Sequence, residues 1–164
     1  MRLISYWCGD EQVSNVKPAT IGRAGEFYVA ATLSRSGLWV TPFSGHLPGY
    51  DLVAITPSGT LRLIQIKTSG PGSSSKKGSW WLGKPSNASG AENHFWVFVD
   101  LKPNVPTPRY FVLPEKVVAG LHHHDEPGWS QGWEGWDEAD LLTWEDRWDL
   151  ITEDKGAVPE APAG

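Results

Sequence analysis

Three side chains in one short stretch carry groups that chemistry can use: the carboxylate of Asp51, the amide of Gln65 and the amine of Lys67. Carboxylate and amide oxygens are ligands for a hard divalent cation, and an ammonium group stabilises negative charge developing on a reacting oxygen. All three sit beside or within apolar runs, Leu-Val-Ala-Ile after Asp51 and Leu-Arg-Leu-Ile-Gln-Ile-Lys ending at Lys67. Polar groups on such a scaffold lose hydration without return unless something partners them, so their presence asks for a chemical reason.

The element that positions them reads as a β-hairpin. Aliphatic and β-branched runs flank Thr56-Pro57-Ser58-Gly59-Thr60, a turn in which proline presets φ and glycine tolerates φ > 0. Gln65 and Lys67, two apart on the second strand, point the same way, and Asp51 opens the partner strand. Ahead of the hairpin, residues 18 to 36 follow helical spacing. Thr20 is the capping residue, Ile21, Ala24, Tyr28 and Ala31 form an apolar stripe, and Gly37 stops the helix. Glu26 lies off that stripe, sharing with Ala30 and Leu33 a second, mildly apolar face that can look toward the sheet.

A helical Glu26, then Asp51, then Gln65-Ile66-Lys67 resembles the PD-(D/E)XK nuclease superfamily, whose core places an acid on one strand and an acid-x-lysine on the next. Branches similar to Holliday-junction resolvases and Mrr-type restriction enzymes add a glutamate on the preceding helix and carry glutamine in the second motif. Two positions depart from the pattern: Gly49-Tyr50 stands where proline is nominal, and Gln65 stands where an acid is. The resemblance covers residues 18 to 120 and implies an α/β fold, a restriction-endonuclease-like mixed β-sheet flanked by helices. It also implies a metal-dependent DNA endonuclease of repair, recombination or restriction type. Glu26, Asp51, Gln65 and Lys67 would be its catalytic residues. Mg²⁺, or Mn²⁺ in its place, would be held by Glu26, Asp51, Gln65 and the backbone carbonyl of Ile66. Because Gln65 is neutral, the cation is expected to bind less tightly than in an all-acid version. The alternative is a non-catalytic protein-interaction or nucleic-acid-binding module that retains the nuclease fold.

Composition bounds these readings. A chain of 164 residues with 40% apolar and 20% charged side chains suits one globular domain. We expect a single domain over 1–155, made of a core at 18–120 and an acidic, tryptophan-rich extension at 121–155, followed by a disordered tail at 156–164. No window is long and apolar enough for a membrane helix, so a cytoplasmic protein without a membrane partner is the expectation. Cys8 is the one cysteine, which excludes an internal disulfide.

The net charge of −5 hides a division. Residues 62–116 hold eight basic and three acidic side chains, whereas residues 117–164 hold two basic and twelve acidic ones. The basic segment can attract phosphates to the hairpin, with Lys76, Lys77 and Lys84 in Gly/Ser-rich loops as candidate DNA contacts. The acidic segment could meet a protein partner, and association into a homodimer stays open. His122, His123 and His124 are too close together on an extended loop to converge on one metal ion. Beyond the hairpin, Phe95 to Val99 and Arg109 to Leu113 read as strands, and Pro114 begins a helix. Trp144 and Trp148, four apart, are expected on one short helix that packs onto the domain.

Overall fold

The fold is described from a computed structural model, over residues 16–47, 49–70, 80, 91–101, 107–119 and 141–154. Helix α1 (Pro18–Arg35) is followed by strands β1 (Trp39–Leu47), β2 (Tyr50–Ile55), β3 (Leu61–Ser69), β4 (His94–Asp100) and β5 (Arg109–Pro114), then by the short helices α2 (Glu115–Ala119) and α3 (Asp149–Thr152). The five strands form one sheet in chain order. β1 with β2, β2 with β3 and β4 with β5 run antiparallel, while β3 and β4 run parallel. The architecture is therefore the expected α/β one, a mixed sheet with helices packed on it.

Helix α1 begins with Pro18 in its first turn, where the missing N–H costs nothing. The preceding residue, Lys17, provides no side-chain cap, so Thr20 lies inside the first turn rather than capping it. Gly37, at φ 90°, takes the left-handed conformation that ends the helix, as its position in the sequence predicts. The face that packs is not the expected one. Gly25, Val29 and Leu33 are buried, whereas Tyr28 and Ala31 are exposed. The reason is steric: a Cβ at position 25 would collide with the Thr68 hydroxyl, and one at position 70 would come within 2.5 Å of Ile21. Two glycines thus let the helix lie close over the end of β3, a contact that a search for bulky apolar residues passes over.

Side-chain alternation divides the sheet into two faces. Under α1, Leu52, Ala54, Ile64, Ile66, Val97 and Val99 join Val29 and Leu33 in an aliphatic core that also takes Ile151 from α3. On the opposite face Trp80, Trp96, Phe98, Phe111 and Leu113 pack with Val118 of α2 and with Leu141. The C-terminal segment therefore contributes to both cores, and a bridge between Phe111 and Glu145 ties it to β5. Trp144 and Trp148 do not share a helix. Asp146, at φ 51°, turns the chain between them, so Trp144 packs with the aromatic core and Trp148 with the aliphatic one. Among the described residues no helix is long and apolar enough to cross a membrane. The candidate contacts Lys76, Lys77 and Lys84, the three adjacent histidines and the tail at 156–164 lie outside the described residues.

Candidate functional site

The regular pairing of β2 with β3 reaches as far as Leu52 and Ile64. One residue beyond it, Asp51 turns its carboxylate onto β3, where Oδ2 accepts a hydrogen bond from the Ile66 N–H at 2.6 Å. The side chain thus supplies an acceptor where the partner strand stops doing so, and the acid is fixed against the backbone between Gln65 and Lys67. Ile64 and Ile66 point into the aliphatic core, so Gln65 and Lys67 project from the other face, both half-buried. Asp51 is placed there by that hydrogen bond rather than by alternation, since the preceding Tyr50 meets His94 on the face of Gln65 and Lys67.

Parallel pairing sets Trp96 beside Gln65 and Phe98 beside Lys67. The Lys67 ammonium lies 5.8 Å from the centre of the Trp96 ring, within reach of its negative face. Behind the ring, the Trp96 indole N–H donates to Glu115 Oε2, and His94 Nδ1 lies 3.0 Å from the same oxygen. Glu115 and His94 are each 2% exposed, so this polar group is sealed from water. The His94–Glu115 approach is out of line, and neither imidazole nitrogen has a well-aligned hydrogen bond. Burial holds the His94 pKa below its ordinary 6.5, opposed in part by the Glu115 carboxylate. Tyr50, the residue before Asp51, sets its ring edgewise against His94 at 4.9 Å. Nothing in the sequence marks His94, Trp96 and Glu115 as neighbours of Gln65 and Lys67, because the pairing of β4 with β3 and with β5 brings them there.

Glu26 arrives from the other layer. Residues turn by about 100° each along a helix, so Glu26 and Thr32 flank the buried stripe of α1 on opposite sides. Burial pushes the Tyr110 phenol pKa up and the neighbouring Thr32 hydroxyl opposes that shift, so the Thr32 flank lies toward β5. Glu26 therefore looks toward β1 and β2, one residue from the glycine that rests on Thr68. Its carboxylate is 23% exposed and is held by Arg23 Nη1 at 2.5 Å. The Arg23 guanidinium also lies over the Phe27 ring, 5.6 Å from its centre.

The hairpin turn is anchored at its far end. Arg62, buried on the aliphatic side, donates to the carbonyls of Ile151 and Glu153 at 3.0 and 2.9 Å and reaches Asp154 at 3.2 Å. Thr56 and Ser58 of the turn also hydrogen-bond to Asp154, which hydrogen bonds from Ser58, Thr60 and Thr56 hold below the usual carboxylate range.

The oxygens available near Asp51 are carboxylate, amide and main-chain carbonyl, the donor types a hard cation takes. Among the described residues no three His, Cys, Asp or Glu side chains cluster as a preformed metal cage.

No family model matches the sequence, and no curated protein matches it. A solved structure of a bacterial homing endonuclease is similar in fold, with a TM-score of 0.52 at 18% identity. The likeness covers 82% of this chain and 91% of that one.

Proposed function

We propose that the chain is a metal-dependent DNA endonuclease of the PD-(D/E)XK kind, with its site on the open end of the β2–β3 hairpin. The observation that carries this reading is the Asp51 carboxylate docked on the Ile66 N–H, with Gln65 and Lys67 on the same face of the sheet. The likeness in fold to a bacterial homing endonuclease supports DNA as the substrate.

In this reading Asp51 would be the principal metal ligand, with Gln65 and the Ile66 carbonyl adding neutral oxygens and Glu26 a second carboxylate. The chemistry a bound Mg²⁺ or Mn²⁺ would supply is polarisation of the phosphate and a lowered pKa for water. Lys67 stabilises the negative charge that builds on the phosphate oxygens as water adds and the ester oxygen leaves. Its half-buried place over Trp96 restricts where the ammonium can go, which favours orientation over mobility. The dry aromatic wall excludes bulk water from one side of that charge. Lys76, Lys77 and Lys84 would steer the phosphate backbone toward the site.

Cleavage of linear, nicked, single-stranded and branched DNA with and without Mg²⁺ or Mn²⁺ tests the proposal. The parent should cut at least one of these substrates only with the cation, and Lys67→Ala should not. Gln65→Glu should tighten Mn²⁺ binding by calorimetry, since hard cations favour charged oxygens. Cleavage by Lys67→Ala at the parent rate would refute the assignment. DNA binding without cleavage under every condition would favour the non-catalytic reading, to which the neutral amide of Gln65 lends its weight.

A further inference from the structure

The Arg23–Glu26 ion pair on α1 is open to solvent on its cationic side. Arg23 and Glu26 are one helical turn apart, the Arg23 side chain 49% exposed and the Glu26 side chain 23%. An exposed pair of this kind is held weakly and exchanges readily for a better partner. Phe27, 60% exposed, gives the guanidinium a flat surface to rest on whether or not Glu26 holds it. In the reading above Glu26, on the flank that faces β1 and β2, supplies the second carboxylate for the cation, yet its Oε2 is occupied by Arg23.

We infer that Arg23 is a contact for a DNA backbone phosphate, and that it reaches the phosphate by letting go of Glu26, which then turns to the cation. The inference rests on the nuclease reading above. A guanidinium presents a planar fork that matches two phosphate oxygens, so a phosphodiester is a stronger partner than a lone surface carboxylate. Before DNA arrives, Asp51 supplies the negative charge of the site without Glu26. After it arrives, Arg23 is neutralised by the substrate and Glu26 becomes available. DNA and cation therefore bind with positive coupling, each tightening the other by the same factor.

The test compares the parent with Arg23→Met, Glu26→Gln and Arg35→Met. Arg35 lies on the same helix, about 18 Å along its axis from Arg23 at 1.5 Å per residue, and is the control for simple loss of charge. Circular dichroism establishes that each variant keeps its helix content. DNA affinity is measured by anisotropy in EDTA across a salt series, and Mn²⁺ affinity of the DNA-free protein by electron paramagnetic resonance.

Arg23→Met should bind DNA about five- to tenfold more weakly at ~0.1 M salt, with a salt slope shallower by about one. It should bind Mn²⁺ about threefold more tightly without DNA, the scale of an exposed ion pair, and adding Glu26→Gln should erase that gain. Arg35→Met should do neither. Equal losses of DNA affinity in Arg23→Met and Arg35→Met, or unchanged Mn²⁺ affinity in Arg23→Met, would overturn the inference while a cutting parent keeps the nuclease reading. A parent that neither binds nor cuts DNA overturns both.

Discussion

The two faces of the sheet differ in kind. Beneath α1 the buried side chains are mostly aliphatic, with Leu52, Ile64, Ile66, Val97, Val29 and Leu33 filling the space between helix and strands and Phe95 joining them under the Arg62 guanidinium. On the other face the wall is aromatic, and polar groups are set into it: Lys67 over Trp96, the Trp96 indole on Glu115, Tyr50 edgewise on His94. Aliphatic packing offers shape and nothing else. Rings offer a negative face, a positive edge and, in tryptophan, a donor, so they accommodate charge that a leucine wall would expel. One face fixes the geometry of the hairpin, and the other gives its polar groups somewhere to stand.

That division can be broken most directly by paired substitutions. Lys67→Ala should reduce cleavage by roughly 10²–10³-fold, the cost of removing one group that stabilises transition-state charge, and should leave the urea midpoint close to the parent's. Leu33→Ala, on the opposite face, should cost about 2–5 kcal/mol of stability while the folded fraction still cuts. Urea unfolding beside single-turnover cleavage measures both. A comparable loss of activity from both substitutions would dissolve the distinction between the faces.

Asp51 belongs to both roles and sharpens the comparison. Asp51→Ala removes the acceptor for the Ile66 N–H and should cost about 1–3 kcal/mol for the unsatisfied donor in addition to cleavage. Asp51→Asn keeps an oxygen that can accept that hydrogen bond, so it should lose cleavage and metal affinity with most of the stability retained. Equal urea midpoints for the two variants would mean that the hydrogen bond contributes little.

The smallest expected effect is a dependence on pH. His94 in the folded protein binds its proton below the ordinary 6.5, so the unfolded chain takes up the proton first and stability rises with pH through that region. The melting temperature should therefore fall as pH drops from about 7 to 5, and His94→Phe should flatten the slope. The acids with depressed pKa, Glu145, Asp149 and Asp154, lose their contribution only below their ordinary values of 4.5, 3.8 and 3.8, outside that window. A slope unchanged in His94→Phe would assign it to other groups.

Much of this was legible in the residues. Strict alternation around Gln65 and Lys67 gives the strand and the shared face, and a Pro-Ser-Gly turn gives the hairpin. Gly37 marks the helix end because few other residues accept its φ. The packed face of α1 differs from the expected stripe because Gly25 contributes by having no side chain, and no scale of hydrophobicity registers that. Nothing local could reveal that His94 and Glu115 are buried together, since each looks like an ordinary polar residue beside an apolar run. Their meeting depends on the pairing of β4 with β5. Arg62 has the same character: its partners stand some ninety residues later, at separations of 89 to 92.

That last distance has a consequence for when the hairpin becomes complete. A chain synthesised from its N-terminus exposes Asp51 to Lys67 early, yet the carbonyls and carboxylate that hold Arg62 emerge only with Ile151, Glu153 and Asp154. Contacts so far apart in sequence form late, because the intervening loop must close first. The growing polypeptide would carry both strands of the hairpin while their turn is still unfastened, and the fastening would be among the last events of folding. The arrangement of the hairpin would then follow the emergence of residues 151–154 rather than the appearance of Asp51, Gln65 and Lys67 themselves.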